Sequence, residues 1–464
     1  MPSVSRTVLL AGLPPEPVLA PRRAAAKLVV LDDDPTGTQT VHGVPVLTAW
    51  DVPALAAELQ DPSPCFYLLT NTRAFPPERA CAINREIGAG LAEAGRRTGR
   101  AFTVISRGDS TLRGHYPAET DALMAALGGG FDGTILVPAF FDGGRCTVGD
   151  VHYVADGDTL TPAGETEFAR DASFGYRSSN LRDWVAEKTA GRVPAAEVVG
   201  VPLDELRRGG ADPVAARLAA LPRGGVAFVN AAGRGDLAVL THALAAPALA
   251  GRRYLFRTAA DFVAAYAGLA RRPLLGGGDL AGPDAAVGGL LVAGSYVGRT
   301  SAQLEALFAA RPGFARVEVS VNRLLAASSR AAELARCVAA VEEHLRARTD
   351  VALFTSRRLV TGADAADSLA IGKAVSSGLV EIVRALAVRP RWLVAKGGIT
   401  SSDVATASLG VRRALVLGQA LPGVPVWRTG PESKWPGLAY VVFPGNVGSP
   451  YALADLVGKL PGAS

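Results

Sequence analysis

Lysine is scarce in this chain. Only six of its 48 basic residues are lysine, and arginine supplies the rest. The arginines are scattered as pairs (Arg22-Arg23, Arg96-Arg97, Arg207-Arg208, Arg271-Arg272, Arg412-Arg413) and are not gathered into a stripe. A nucleic-acid binder concentrates its basic residues, often among aromatics, so with a net charge of only +5 no nucleic-acid partner is expected. The four cysteines, Cys65, Cys81, Cys146 and Cys337, are far apart and form no C-x-x-C pair. That excludes a disulfide framework and a cysteine-based metal site, and it fits reduced thiols in a cytoplasmic protein. Long hydrophobic runs are missing too. The stretch 285–298 is uncharged but broken by glycines, short of the ~18–20 apolar residues a membrane span requires. The brief run 8–13 stops at Pro14-Pro15, too short for a secretory core, and residues 1–26 read as a mobile N-terminal arm. The five histidines lack the helical spacing of a zinc site. The Walker pattern G-x-x-x-x-G-K-[ST] is absent, and the G-x-G-x-x-G match at 128–133 follows a helix where the dinucleotide fingerprint follows a strand.

What is present is globular: 49% hydrophobic residues and 20% charged over 464 positions, enough for two or three domains. Apolar runs at 27–31, 65–69, 101–105, 134–137, 197–201 and 226–229 alternate with helical stretches such as 77–95 and 237–249. A second series follows at 289–293, 316–319, 350–354, 391–395 and 439–443. The alternation predicts an α/β protein of two domains, each a mostly parallel sheet flanked by helices, with the active site in the interdomain cleft. The Gly/Pro cluster near residue 280 marks the boundary: a first domain over 27–275, a linker over 276–287 and a second domain over 288–464. The segment 141–179 has no clear periodicity but is rich in aromatic and charged residues, and reads as an ordered, functional insertion. Alanine-rich helical faces, as in 363–388, suit a core or a homo-oligomer interface equally.

In open α/β sheets ligands bind beyond the carboxyl ends of the strands, and the polar clusters fall there. The first is Asp32-Asp33-Asp34-Pro35-Thr36-Gly37-Thr38-Gln39. Three consecutive carboxylates need a cation or donors to compensate them, which suits a Mg²⁺ ligand, an acceptor for a polyol or a general base. The second is Arg107-Gly108-Asp109-Ser110-Thr111-Leu112-Arg113-Gly114-His115, whose guanidinium forks suit a carboxylate or phosphate. The third, inside the insertion, holds Arg145, His152, Glu165, Glu167, Arg170, Asp171, Tyr176, Arg177 and Ser178; its alternating charges serve a site or merely tie a loop. In the second domain, Gly294-Ser295, Lys396-Gly397-Gly398-Ile399-Thr400 and Gly445-Asn446 end strands ahead of helices. Backbone N–H groups there can hold phosphate oxygens.

In this order, the Asp32-Asp33-Asp34-Pro35-Thr36-Gly37, Arg107-Gly108-Asp109-Ser110-Thr111-Leu112-Arg113-Gly114, Lys396-Gly397-Gly398-Ile399-Thr400-Ser401 and Pro444-Gly445-Asn446-Val447-Gly448 motifs resemble those of the four-carbon acid sugar kinase family. That family includes D-threonate, D-erythronate, 3-oxo-tetronate and 3-oxo-isoapionate kinases. The resemblance implies a first domain for the sugar acid, a second for ATP, and phosphoryl transfer to a hydroxyl, expected at C4, with Mg²⁺. It places the nucleotide on Ser295, Gly397, Gly398, Ile399, Thr400 and Gly445, with Lys396 and Asn446 beside them. The sugar acid falls to Asp32, Thr36, Gln39, Asp109, Ser110, Arg113 and His115. Asp33 is the first choice as general base, Asp34 the second, and Arg107 is placed at the transferring group. Metal ligands stay unassigned. An aldolase, a dehydrogenase and a non-catalytic sugar-acid sensor are the alternatives on the residues alone.

Overall fold

The structure, a computed structural model, describes residues 2–280, 286–294, 298–357, 365–445 and 447–462. It divides into two compact units, residues 1–45 with 49–271, and residues 46–48 with 272–464.

The first unit is built on a parallel sheet. Its strands run in the order Val199–Val201, Gly225–Val229, Gly133–Val137, Tyr254–Thr258, Phe102–Arg107, Lys27–Asp32 and Cys65–Leu69. Leu28, Val29 and Val30 are fully buried, as expected for strands covered on both faces, which read as unbroken apolar runs. The helix Pro77–Thr98 shows the usual logic of the covering layer. Proline occupies its first turn, Arg96 and Arg97 its last, and Ala80, Ile83, Ile87, Leu91 and Ala94 make the buried stripe. From Lys27–Asp32 the sheet is extended on one flank by Cys65–Leu69 and then on the other by Phe102–Arg107. That reversal creates a crevice beyond the carboxyl ends of the two central strands.

The insertion is ordered. Arg145–Val148, Val151–Asp156 and Thr159–Pro162 form an antiparallel sheet, and the N-terminal strand Val4–Ser5 pairs with its edge. Its core is Cys146, Val148, Val151, Tyr153 and Leu160. The expectation of a mobile arm is corrected here. The Glu16 carboxylate accepts from Gly235 N at 2.7 Å, Arg207 donates to Pro14 O at 2.8 Å, and Arg22 N donates to Thr241 Oγ1 at 2.8 Å.

In the second unit the order is Arg413–Leu421, Val424–Thr429, Ala439–Phe443, Leu393–Lys396, Leu290–Ala293, Val351–Thr355 and Ala315–Val319. The last five are mutually parallel, and the first two form an antiparallel hairpin. The hairpin leaves no continuous apolar run in the sequence, because its first strand alternates buried with more accessible positions. Trp392, Leu291, Val394, Val441 and Phe443 centre the core. Of the expected linker, Leu280 is fully buried in this same core, while residues 281–285 lie outside the described set. No described helix is long and apolar enough to cross a membrane.

Candidate active site

The carboxyl ends of the two central strands in the first unit bring both predicted clusters together. Asp32 ends one strand and Arg107 ends its neighbour, and Arg107 Nη1 donates to Asp32 Oδ1 at 3.3 Å with both side chains buried. Burial pushes the Asp32 carboxyl up to about 7 against the pull of Arg107. Asp33 is also raised, again chiefly by burial. Asp34 is held low, because Arg73 and the Thr36 side chain and backbone outweigh its own desolvation. Adjacent carboxylates thus meet opposite environments.

Two arginines that the sequence reading did not single out complete the cluster. Arg73 lies on the single turn Thr72–Ala74, just after the strand Cys65–Leu69. It meets Asp33 at 3.2 Å, Asp34 at 2.9 Å and Asp109 at 3.4 Å. Arg257, on the strand Tyr254–Thr258, lies 4.0 Å from Asp33 and donates to Arg113 O at 3.3 Å. Strand-end logic would have found Arg73, since Thr70-Asn71-Thr72-Arg73 is another polar cluster after an apolar run. Arg257 was hidden with its strand, whose apolar stretch is only Tyr254, Leu255 and Phe256 between charged residues. These guanidiniums supply the compensation that three consecutive carboxylates demand. Among the described residues no group of three or more His, Cys, Asp or Glu is arranged to hold a metal by itself.

At two of these positions an added Cβ would press on the end of a buried side chain. A Cβ at Gly37 would lie 1.9 Å from Asp32 Oδ2, and one at Gly108 would lie 1.5 Å from Arg257 Nη1. The motif glycines therefore let the backbone lie against a buried carboxylate and a buried guanidinium.

The remaining first-unit candidates divide by what they touch. Thr36 donates its hydroxyl and its N–H to Asp34. Asp109 accepts from Thr111 and from Arg113 Nε at 2.9 Å, and Arg73 with Arg113 holds its carboxyl well below the usual range. Gln39 is buried with its Oε1 lacking a hydrogen-bond partner. Arg113 also reaches Asp171 at 3.4 Å and lies over the Phe168 ring, so two insertion residues face this loop. Tyr176 donates to Thr111 O at 2.6 Å. His152, whose pKa burial lowers to about 4, is neutral; it donates from Nε2 to Ser110 O at 2.8 Å. The insertion thus buttresses the loop from Arg107 to His115, while its Glu165, Glu167, Arg170 and Arg177 point to solvent. His115 braces the neighbouring turn. Its Nε2 sits 3.1 Å from Thr72 O and 3.0 Å from Phe75 O. Both carbonyls only accept, so that nitrogen is spent holding the turn that carries Arg73.

In the second unit the glycine turns lie side by side. Gly397 has φ 108 and precedes the short helix Gly398–Asp403, and a Cβ at Gly445 would lie 4.0 Å from Gly397 Cα. Thr400 Oγ1 would lie 2.8 Å from a Cβ at Gly294, and Ile399 is exposed. Ser295 and Asn446 lie outside the described residues. Lys396 is fully buried, donates to Pro444 O at 3.3 Å and lies 4.3 Å from the Phe443 ring centroid. Burial, helped by Arg299 and Arg357, lowers its pKa from 10.5 to about 7. Glycine turns ahead of a helix, with backbone N–H groups unshielded by side chains, are suited to the phosphates of a nucleotide.

Lys396 therefore carries a stability cost that can be read from pH. Between pH 7 and 10.5 the unfolded chain binds more protons at this site than the folded one, so stability rises with pH across that window. Lys396→Met is expected to raise the thermal midpoint at pH 7 and to flatten its rise toward pH 10, while weakening nucleotide binding. A pH dependence identical to the wild type would show that Lys396 stays charged when buried.

Comparison with known proteins places this arrangement. Residues 28–266 match the family model of a sugar-binding N-terminal domain, and residues 290–453 that of a nucleotide-binding C-terminal domain. The chain belongs to the four-carbon acid sugar kinase family. A 3-oxo-tetronate kinase of Burkholderia multivorans is 32% identical over 340 residues, 71% of this chain and 72% of that protein. A D-erythronate kinase of Heliobacterium modesticaldum is 30% identical over 186 residues, 38% of this chain and 39% of that protein. The fold recurs in solved structures. A Salmonella typhimurium LT2 protein has a TM-score of 0.66 at 19% identity, covering 93% of this chain and 98% of its own. A Haemophilus influenzae protein has a TM-score of 0.59 at 17% identity, covering 93% and 99%.

Proposed function

We propose that this protein transfers the γ-phosphoryl group of ATP to a hydroxyl, the terminal C4 hydroxyl, of a small sugar acid. The observation that carries the reading is Asp33, a buried carboxylate with a raised pKa and no hydrogen bond to either oxygen, set among arginines in the sugar-binding unit. A general base needs a lone pair free for the incoming proton, and burial that disfavours the ionised carboxylate favours its taking that proton. The substrate hydroxyl attacks the γ-phosphorus, its proton passes to Asp33, and the bond to the β,γ-bridging oxygen breaks to release ADP. Asp34, lowered and bonded to Thr36, stays ionised. Arg113, the more exposed of the two motif arginines, suits the substrate carboxylate; Arg107 is committed to Asp32. Lys396 with the turns at Gly397, Gly398, Thr400 and Gly445 suits the phosphates. Mg²⁺ enters in this reading as the counter-ion of the nucleotide.

The match over most of the 3-oxo-tetronate kinase makes 3-oxo-tetronate the first acid to try. A coupled ADP-release screen over 3-oxo-tetronate, 2-oxo-tetronate, threonate, erythronate and 3-oxo-isoapionate, with phosphorus NMR of the product, tests reaction and substrate together. ADP release that depends on one of these acids is expected. Intact ATP across the whole panel would remove the reading.

A further inference from the structure

Among the described residues, Arg73 is the one side chain that touches three carboxylates on both predicted loops. Its Nη2 lies 2.9 Å from Asp34, its Nε 3.2 Å from Asp33 and its Nη1 3.4 Å from Asp109. It is also the outermost of the guanidiniums near Asp33. Its side chain is 18% exposed, against 8% for Arg257 and 4% for Arg107. The three carboxylates are not treated alike. Asp34 has Thr36 as a donor, and Asp109 has Thr111 and Arg113. Asp33 is opposed by charge but receives no hydrogen bond, and Arg73 Nε, its nearest cationic atom, makes none either.

The turn under Arg73 is built to hold this pose. Arg73 N donates to Asp33 O at 3.3 Å, Asn71 takes the left-handed conformation at φ 52, and His115 grips the carbonyls of Thr72 and Phe75. A non-glycine residue at positive φ persists only where its surroundings enforce it.

We propose that Arg73 is a positioning residue that assigns the neighbouring carboxylates different tasks. It anchors Asp34 and Asp109 across the two loops and leaves the oxygens of Asp33 for the substrate hydroxyl. The proposal rests on the kinase reading for its kinetic consequence but not for its electrostatic one. Arg73 is the strongest charge opposing the burial of Asp33; Arg257 and Arg107 add to it, and Glu119 acts against it. Asp32, Asp34, Asp109 and Arg113 lie around the cluster, with Asp171 and Arg145 beyond Arg113 and Asp109.

The test is the pH profile of kcat/KM for wild type, Arg73→Gln and Arg73→Lys, with folding checked by thermal unfolding. Arg73→Gln is expected to move the acid limb upward by about one pH unit or more and to lower kcat about 10²-fold through lost alignment. Arg73→Lys restores a point charge without the fork, so the limb should return toward the wild type while kcat stays low. An acid limb unmoved in Arg73→Gln, whatever its rate, overturns the proposal, as does an Arg73→Lys enzyme equal to the wild type in both. If the wild type releases no ADP with any acid, the kinase reading fails and the proposal is decided separately. Carbon-13 NMR of aspartate-labelled protein then shows either a carboxyl titration raised in Arg73→Gln, as expected, or unchanged titrations, which overturn it.

Discussion

Asp33→Asn is expected to lower kcat by two to four orders of magnitude with the fold intact. General-base catalysis contributes roughly 10²–10⁴-fold, and the amide keeps the shape of the carboxylate but cannot take the proton. Because Asp33 receives no hydrogen bond and is disfavoured as an ion by burial, the substitution removes a desolvated charge. The unfolding midpoint should hold or rise. Asp34→Asn should behave differently, losing the ion pair with Arg73 and part of the Thr36 turn, with a smaller loss in kcat and a lower midpoint. Steady-state ADP release and thermal unfolding on both variants decide the matter. If Asp34→Asn shows the greater kcat loss and Asp33→Asn only destabilises, the roles of the two are reversed.

Gly108→Ala is the second change with a large expected effect, and it works through volume alone. The added methyl would fall 1.5 Å from Arg257 Nη1 and 2.0 Å from its Cζ. Both groups are buried, so either the guanidinium or the loop must move. Overpacking of this kind costs about 1–3 kcal/mol, and a misplacement near 1 Å at the site costs about 10²-fold in kcat/KM. Gly12→Ala is the matched control. Nothing lies within 4 Å of a Cβ at Gly12, which has φ −86, so its stability should stay within about 0.5 kcal/mol. Urea unfolding and kcat/KM give the comparison. Wild-type kcat/KM in Gly108→Ala would show that Arg257 can swing aside without consequence to the reaction.

Periodicity and strand-end chemistry made most of the fold legible, because strands buried on both faces leave continuous apolar runs. Lys27–Asp32, Cys65–Leu69 and Ala439–Phe443 lie within a residue of where those runs predict them. The same principle explains what escaped. Arg413–Leu421 is half exposed and alternates, and Tyr254–Thr258 carries a buried arginine. The insertion builds its sheet from strands that mix polar and charged residues with apolar ones, Arg145–Val148, Val151–Asp156 and Thr159–Pro162, so none leaves a continuous apolar run.

The chain's own order of residues was enough to settle the α/β class and the family, since four motifs in register survive any detail of packing. It also placed Asp32, Asp33, Asp34, Arg107 and Asp109 at strand ends, where backbone direction alone aims them into a crevice. Charge balance could not be read the same way. Arg73 and Arg257 stand about 40 and 224 positions from Asp33 in the chain, yet lie 3.2 and 4.0 Å from it in space. Ionisation depends on such through-space neighbours and on burial, neither of which is local in sequence. Only the folded chain therefore decides that the scarce lysine Lys396 is buried, that His115 holds a turn, and that three adjacent aspartates differ in what they can do.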